Sequence, residues 1–128
     1  MRKILFLLFV LISFTIQSQE RFNNQILNGE WEIIYDQNNE GKKNKFHSND
    51  GFNKGSIEKI YVPSVWERYK KDYEGVVYYR TKFKVSKSME NKKIHLNFKA
   101  SNYITEVYVN DNSIGFHEGG FSPFSFNI

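Results

Sequence analysis

The chain has 128 residues, 40% of them apolar and 17% aromatic, with no cysteine and a formal net charge of +4. That length suits one domain around one core and leaves little room for a second. The lack of cysteine excludes disulfide stabilisation and a lipid-bearing cysteine anchor, and so small a charge argues against nucleic acid as a partner.

The first segment reads as an export signal. Arg2 and Lys3 precede the apolar run Ile4 to Ile16, after which Gln17-Ser18-Gln19 turns polar. The run falls short of the roughly 20 residues of a spanning helix, so no stable membrane anchor is expected. Cleavage after Ser18 would remove residues 1–18, lower the charge by the two of Arg2 and Lys3, and release residues 19–128 as a periplasmic or secreted product.

From there the chain alternates with period 2, the mark of strands. Asn28-Gly29 precedes a first strand in which Trp31, Ile33 and Tyr35 alternate with Glu32, Ile34 and Asp36. Trp31 is expected in the core. Asn38-Asn39-Glu40-Gly41 ends this strand and opens an excursion to Ser56, rich in Asn, Lys and Gly, where Phe46 and Phe52 are the large apolar residues. The excursion reads as partly irregular, and loops this long are uncommon and often functional or disordered. Lys42, Lys43 and Lys45 read as a solvated face within it. Ser64 to Lys71, after Pro63, accommodates one short helical turn, and no longer amphipathic helix is evident.

Val76 to Val85 gives the clearest alternation: Val77, Tyr79, Thr81, Phe83 and Val85 share one face, and Val76, Tyr78, Arg80, Lys82 and Lys84 the other. Arg80 is expected to pair with a carboxylate. A polar loop, Ser86 to Asn91, leads to Ile94, Leu96 and Phe98, and Val107 and Val109 follow. Asn110-Asp111-Asn112 is a hairpin signal, because Asn and Asp tolerate positive φ. Short strands at this spacing predict an all-β, two-sheet sandwich.

The last stretch, His117-Glu118-Gly119-Gly120-Phe121-Ser122-Pro123-Phe124, sets adjacent glycines between a carboxylate and an aromatic ring. Such a backbone can lie against a ligand or form a structural bulge, and both readings stand. His47, His95 and His117 lack metal-ligand spacing, so neither metal nor cofactor is expected.

In order and spacing, five pieces resemble the N-terminal sugar-binding domain of glycoside hydrolase family 2, the family of β-galactosidases, β-glucuronidases and β-mannosidases. They are Gly29-Glu30-Trp31; Val62-Pro63-Ser64-Val65-Trp66; Tyr73-Glu74-Gly75 with Val76 to Arg80; Phe98 and Tyr103 with Val107 to Asn110; and His117 to Phe124. The resemblance runs from about Ile26 to Ile128. It implies a galactose-binding-like jelly roll at the N-terminus of a retaining glycosidase whose two catalytic Glu lie on a later barrel domain. No catalytic residue is therefore assigned to this chain, and its jelly roll is expected to lack its last strands and expose an apolar edge.

In some relatives, loops at the places of Glu74 and Gly119 reach the sugar pocket. One relative carries Asn and Asp there, so those side-chain roles do not carry over. The substrate-binding candidates are His117, Glu118, Gly119, Gly120, Glu74 and Trp66, with carbohydrate as the partner. A stand-alone carbohydrate-binding module and a structural sandwich that binds a protein are the rival readings.

Overall fold

The computed structural model describes residues 23–128; the expected export signal lies outside them. Strand β1 (Gly29–Asp36) is the centre of a three-stranded antiparallel sheet in the order β2-β1-β3. Its neighbours are β2 (Glu58–Val62) and β3 (Val76–Arg80). Strand β4 (His95–Phe98) pairs with β7 (Phe124–Asn127), and β5 (Ile104–Val109) with β6 (Asn112–Glu118), all antiparallel. The all-β class follows directly from these pairings.

The alternation read in β1 holds, but both of its faces are covered. Ile33 is fully buried with Tyr35 and Ile60, and Trp31, Val62, Trp66, Tyr73 and Val77 pack around them. On the opposite face Ile34, 1% exposed, packs with Phe46, Phe52 and Tyr78. Phe46 and Phe52 come from the long excursion, which is therefore a second layer rather than an irregular loop. It contains two single-turn helices, α1 (Gly41–Asn44) and α2 (Asn49–Phe52). Neither shows helical periodicity in sequence, because four residues are too few to display one.

Side chains of the sheet start and hold this layer. Asp36 is 7% exposed, and its two carboxylate oxygens accept from the backbone N–H groups of Glu40 and Gly41, each at 2.8 Å. Ser48 caps α2 by accepting from Gly51 N–H. Arg80 stands opposite Glu32 in the β1–β3 register, and its Nε donates to the Glu32 carboxylate at 2.7 Å. Its other end donates to the amide oxygens of Asn49 and Asn53, while the guanidinium lies 4.1 Å from the centre of the Phe52 ring. One cation thus joins two strands to α2.

Strand β3 ends at Arg80, five residues short of the alternating run, because its last partner on β1 is Glu32. Phe83 and Val85 continue the pattern without a ladder and are more than a third exposed. The β5–β6 turn is as expected: Asn110 and Asp111 have φ of 48° and 67°, the positive values of a primed hairpin turn. Asp111 also accepts from Asn49 N–H at 2.8 Å, and His47 stacks on Tyr108 at 4.7 Å, so the excursion ties the three-stranded sheet to this hairpin.

Phe52→Ala should lower the unfolding free energy of the intact protein by about 3–5 kcal/mol, read from urea denaturation. The Arg80 hydrogen bond, reinforced by the charges of Arg80, Lys59 and Lys82, holds the Glu32 carboxyl below its ordinary pKa although burial opposes this. A depressed folded-state pKa contributes stability that is complete above the unfolded value of about 4.3 and is lost as pH falls through the folded value. Glu32→Gln should accordingly flatten the acid limb of the stability–pH curve, while stability near neutral pH falls with the loss of the pair.

Candidate functional site

The sequence candidates fall into two groups. His117, Glu118, Gly119 and Gly120 form the corner after β6, where the chain turns toward β7. Register sets Thr105 opposite His117 and Ile104 opposite Glu118. Gly119 has φ +138°, a conformation that side chains rarely adopt, and its N–H donates to the carbonyl of Tyr103 at 2.8 Å. A Cβ on Gly120 would meet the Asn102 amide oxygen at 2.8 Å. Gly119 is thus favoured by its φ and Gly120 by its close approach to Asn102, in a loop whose Asn102–Tyr103 peptide is cis.

The side chains of this corner diverge. His117 turns inward and stacks on Phe124 at 4.0 Å and 13°, and Phe124 stacks on Phe98 at 4.7 Å and 8°. The Nε2 of His117 is shielded from solvent and has no hydrogen-bond partner among the described residues. Glu118 points to solvent, and Phe121 at the tip is 98% exposed. A shallow open groove of about 270 Å³ runs beside the stack, lined by Asn97, Phe98, Lys99, Pro123, Phe124 and Ser125. Aromatic faces, an amide and an ammonium are the groups with which proteins hold sugar rings and their hydroxyls.

Glu74 and Trp66 belong to the second group, at the entrance to β3. Trp66 opens a 3-10 turn (Trp66–Arg68), packs on the Ile33–Tyr35–Ile60 cluster, and donates from its indole N–H to the Tyr73 carbonyl at 3.3 Å. It is a half-buried packing residue. Glu74 is exposed on the turn that Asp72 (φ 56°) and Gly75 (φ 144°) shape. Tyr73 braces that turn, its hydroxyl donating to the Val76 carbonyl at 2.7 Å and its ring meeting Tyr35 edge-on. Tyr79, on the same sheet, is pushed up to about 12 by burial and stays a neutral phenol across physiological pH.

Among the described residues no hydrogen bond, ion pair or ring contact joins Glu74 or Trp66 to the His117–Gly120 corner. Retaining glycoside hydrolysis needs two carboxyl groups about 5 Å apart. The residue facing Glu118 across the hairpin is Ile104, which cannot serve as the second. No group of three potential metal ligands occurs among the described residues. Sequence reasoning passed over Asn102, which seats the glycine pair; its polar setting, Ser101-Asn102 between two strands, was the available signal.

Comparison with known proteins agrees with this geometry. Residues 69–128 match the family described as glycosyl hydrolases family 2, sugar binding domain. The chain is 31% identical over 83 residues to a β-galactosidase of Thermoanaerobacter pseudethanolicus, covering 60% of this chain and 11% of the relative. It is 36% identical over 56 residues to a β-glucuronidase of Formosa agariphila, covering 44% and 6%. The chain thus spans about a tenth or less of the length of the curated relatives it matches.

Among solved structures, the apo β-glucuronidase of Ruminococcus gnavus superposes with a TM-score of 0.73 at 30% identity, over 80% of this chain and 18% of that one. The same enzyme bound to uronic deoxynojirimycin gives the same figures. These agreements support a likeness to the N-terminal sugar-binding domain of glycosyl hydrolase family 2, with residues 69–128 matching its family model.

Gly119→Ala should cost the intact protein about 1–3 kcal/mol of unfolding free energy, because alanine is strained at that φ. Ser122→Ala, on the exposed tip of the same corner, should stay within about 0.5 kcal/mol of the parent. Chemical denaturation of both variants side by side checks the difference.

Proposed function

We propose, on the strength of that likeness, that this chain serves an exported O-glycosyl hydrolase by shaping one wall of its sugar pocket, while another domain breaks the bond. The observation that carries the reading is the 30% identity, over 80% of the chain, to a β-glucuronidase whose structure holds a uronic sugar mimic. The fold adds a physical reason. The corner from His117 to Phe121 is stiffened by the Gly119–Tyr103 hydrogen bond and the His117–Phe124–Phe98 stack, yet it presents Glu118 and Phe121 outward. A rigid loop bearing one exposed acid and one exposed ring suits contact with a substrate, or support of a neighbouring domain at the pocket rim.

Glu118 and the glycine corner are the proposed contact, with Glu74 on a separate loop. Trp66 acts by packing beneath the Glu74 turn. Residues 1–18 are proposed to direct export, which delivers the product to the periplasm or the medium.

A protein carrying this domain should hydrolyse a 4-nitrophenyl β-glycoside of galactose, glucuronic acid or mannose, and the 128-residue chain alone should hydrolyse none. In the intact protein, Glu118→Gln should raise KM with kcat held within about twofold, as expected for a binding group remote from the reacting atoms. Turnover by the isolated chain that disappears in Glu118→Gln would move the chemistry into this domain and overturn the proposal. Sugar binding by the intact protein without hydrolysis would favour a stand-alone carbohydrate-binding module.

A further inference from the structure

Asn28–Gly29 is the one Asn–Gly pair in the sequence, and Asn28 is exposed. We propose that it is a site of spontaneous deamidation, which places an aspartate or isoaspartate at position 28 and alters the entry to the central strand. The reaction needs three conditions: an asparagine whose side chain is free, a following backbone nitrogen that can reach it, and no side chain on the following residue to block the ring.

All three meet here. Asn28 is exposed and lies just before the first residue of β1, and no hydrogen bond of its side-chain amide is formed among the described residues. Gly29 has no Cβ, its φ is +133°, and even an added Cβ would find nothing within 4 Å. The space around the reacting atoms is open.

In the step, the Gly29 nitrogen loses its proton to base and attacks Cγ of Asn28. The new N–Cγ bond closes a five-membered imide as the Cγ–Nδ2 bond breaks, and Nδ2 leaves as ammonia with a proton from solvent. Water then adds to one of the two imide carbonyls. Opening on one side gives aspartate; opening on the other gives isoaspartate, in which the former side-chain carbon joins the main chain. The net change consumes one water and releases one ammonia, with no oxidant or reductant.

The rest of the chain supplies contrasts. Asp50–Gly51 could form the same ring, but Gly51 is buried in α2, its N–H donates to Ser48 Oγ, and a Cβ there would meet the Lys45 carbonyl at 2.0 Å. Asn112–Ser113 lies inside β6, and the Asn112 amide donates to the Asn110 carbonyl at 2.9 Å. The Asn28 side chain has no such tie among the described residues, and Gly29 is held only at the end of the β1–β2 ladder, opposite Val62.

The consequence reaches the core by a short path. The Trp31 indole N–H donates to the Leu27 carbonyl at 2.7 Å, a bond that spans position 28. An isoaspartate lengthens the backbone between these two residues by one carbon and separates donor from acceptor. Trp31 packs on the Ile33–Tyr35–Ile60 cluster, so its surroundings would report the change. The new carboxylate also arrives two residues from Glu30, whose partner is Lys59 at 3.2 Å.

The test is to hold the intact folded protein at 37 °C across neutral to mildly alkaline pH and follow the peptide containing residue 28 by mass spectrometry, with isoaspartate methyltransferase labelling. Conversion at position 28 should grow in proportion to hydroxide and outrun that at Asp50 and Asn112, and tryptophan emission should shift with it. Asn28→Gln, which would have to close a six-membered imide and does so far more slowly, should suppress the conversion and hold the emission constant. Conversion in the urea-unfolded chain but not in the folded protein would mean that the fold shields Gly29, and would overturn the proposal. Faster reaction at Asn112 or Asp50 would overturn it as well.

Discussion

Burial of β1 on both faces is the constraint from which the rest of this domain follows. A strand with solvent on one side needs one apolar face, and Trp31, Ile33 and Tyr35 supply it. Ile34 breaks that economy. It stands on the face that also carries Glu30, Glu32 and Asp36, where water would otherwise do, and an isoleucine buried there must have a cover. The segment after β1 provides one by bringing Phe46 and Phe52 back over the sheet. Two helices of one turn each cannot persist alone in water, so their order derives from this packing and from the carboxylate of Asp36.

How much of this was legible depends on the length over which each signal is written. Alternation over Trp31–Asp36 and Val76–Arg80 marked the strands because the pleat imposes it residue by residue. The Asn110–Asp111 turn was readable because few residue types accept two successive positive φ values. The second layer was not. Phe46 and Phe52 stood out as isolated rings, but nothing local says that both touch Ile34, since that contact is set by where the chain returns in space. For the same reason Val76 to Val85 read as one strand, although the β3 ladder stops at the Arg80–Glu32 pair while β1 runs on to Gly29 with β2 alone.

The candidate site shows the same division. The Gly119–Gly120 pair announced an unusual backbone, and the structure gives the reason: Gly119 adopts a positive φ, and the Asn102 side chain occupies the space that a side chain on Gly120 would need. Asn102 itself was invisible as a partner because it lies far from the glycines in sequence. His117 and Glu118, adjacent in sequence, do different work because neighbours on a strand point to opposite faces. One ring joins an aromatic stack and one carboxylate meets solvent. The proposal of carbohydrate as the ligand rests on similarity to family 2 glycosidases, and the geometry contributes a stiff, outward-facing loop on which such a role can be exercised.

Arg80 has a consequence for the order in which the domain is assembled. The layer it holds spans α1 and α2, and the cation arrives more than 25 residues after Asn53 leaves. A chain emerging from its N-terminus therefore presents β1, the covering segment and β2 before it presents the residue that fastens them. Until β3 docks, Glu32, Asn49 and Asn53 wait without their common donor. When it docks in register, one guanidinium meets all three and the face of Phe52; shifted by one residue, Tyr79 or Thr81 would meet them instead. The side chain thus works as a keyed latch that engages all of its partners only on the correctly aligned sheet.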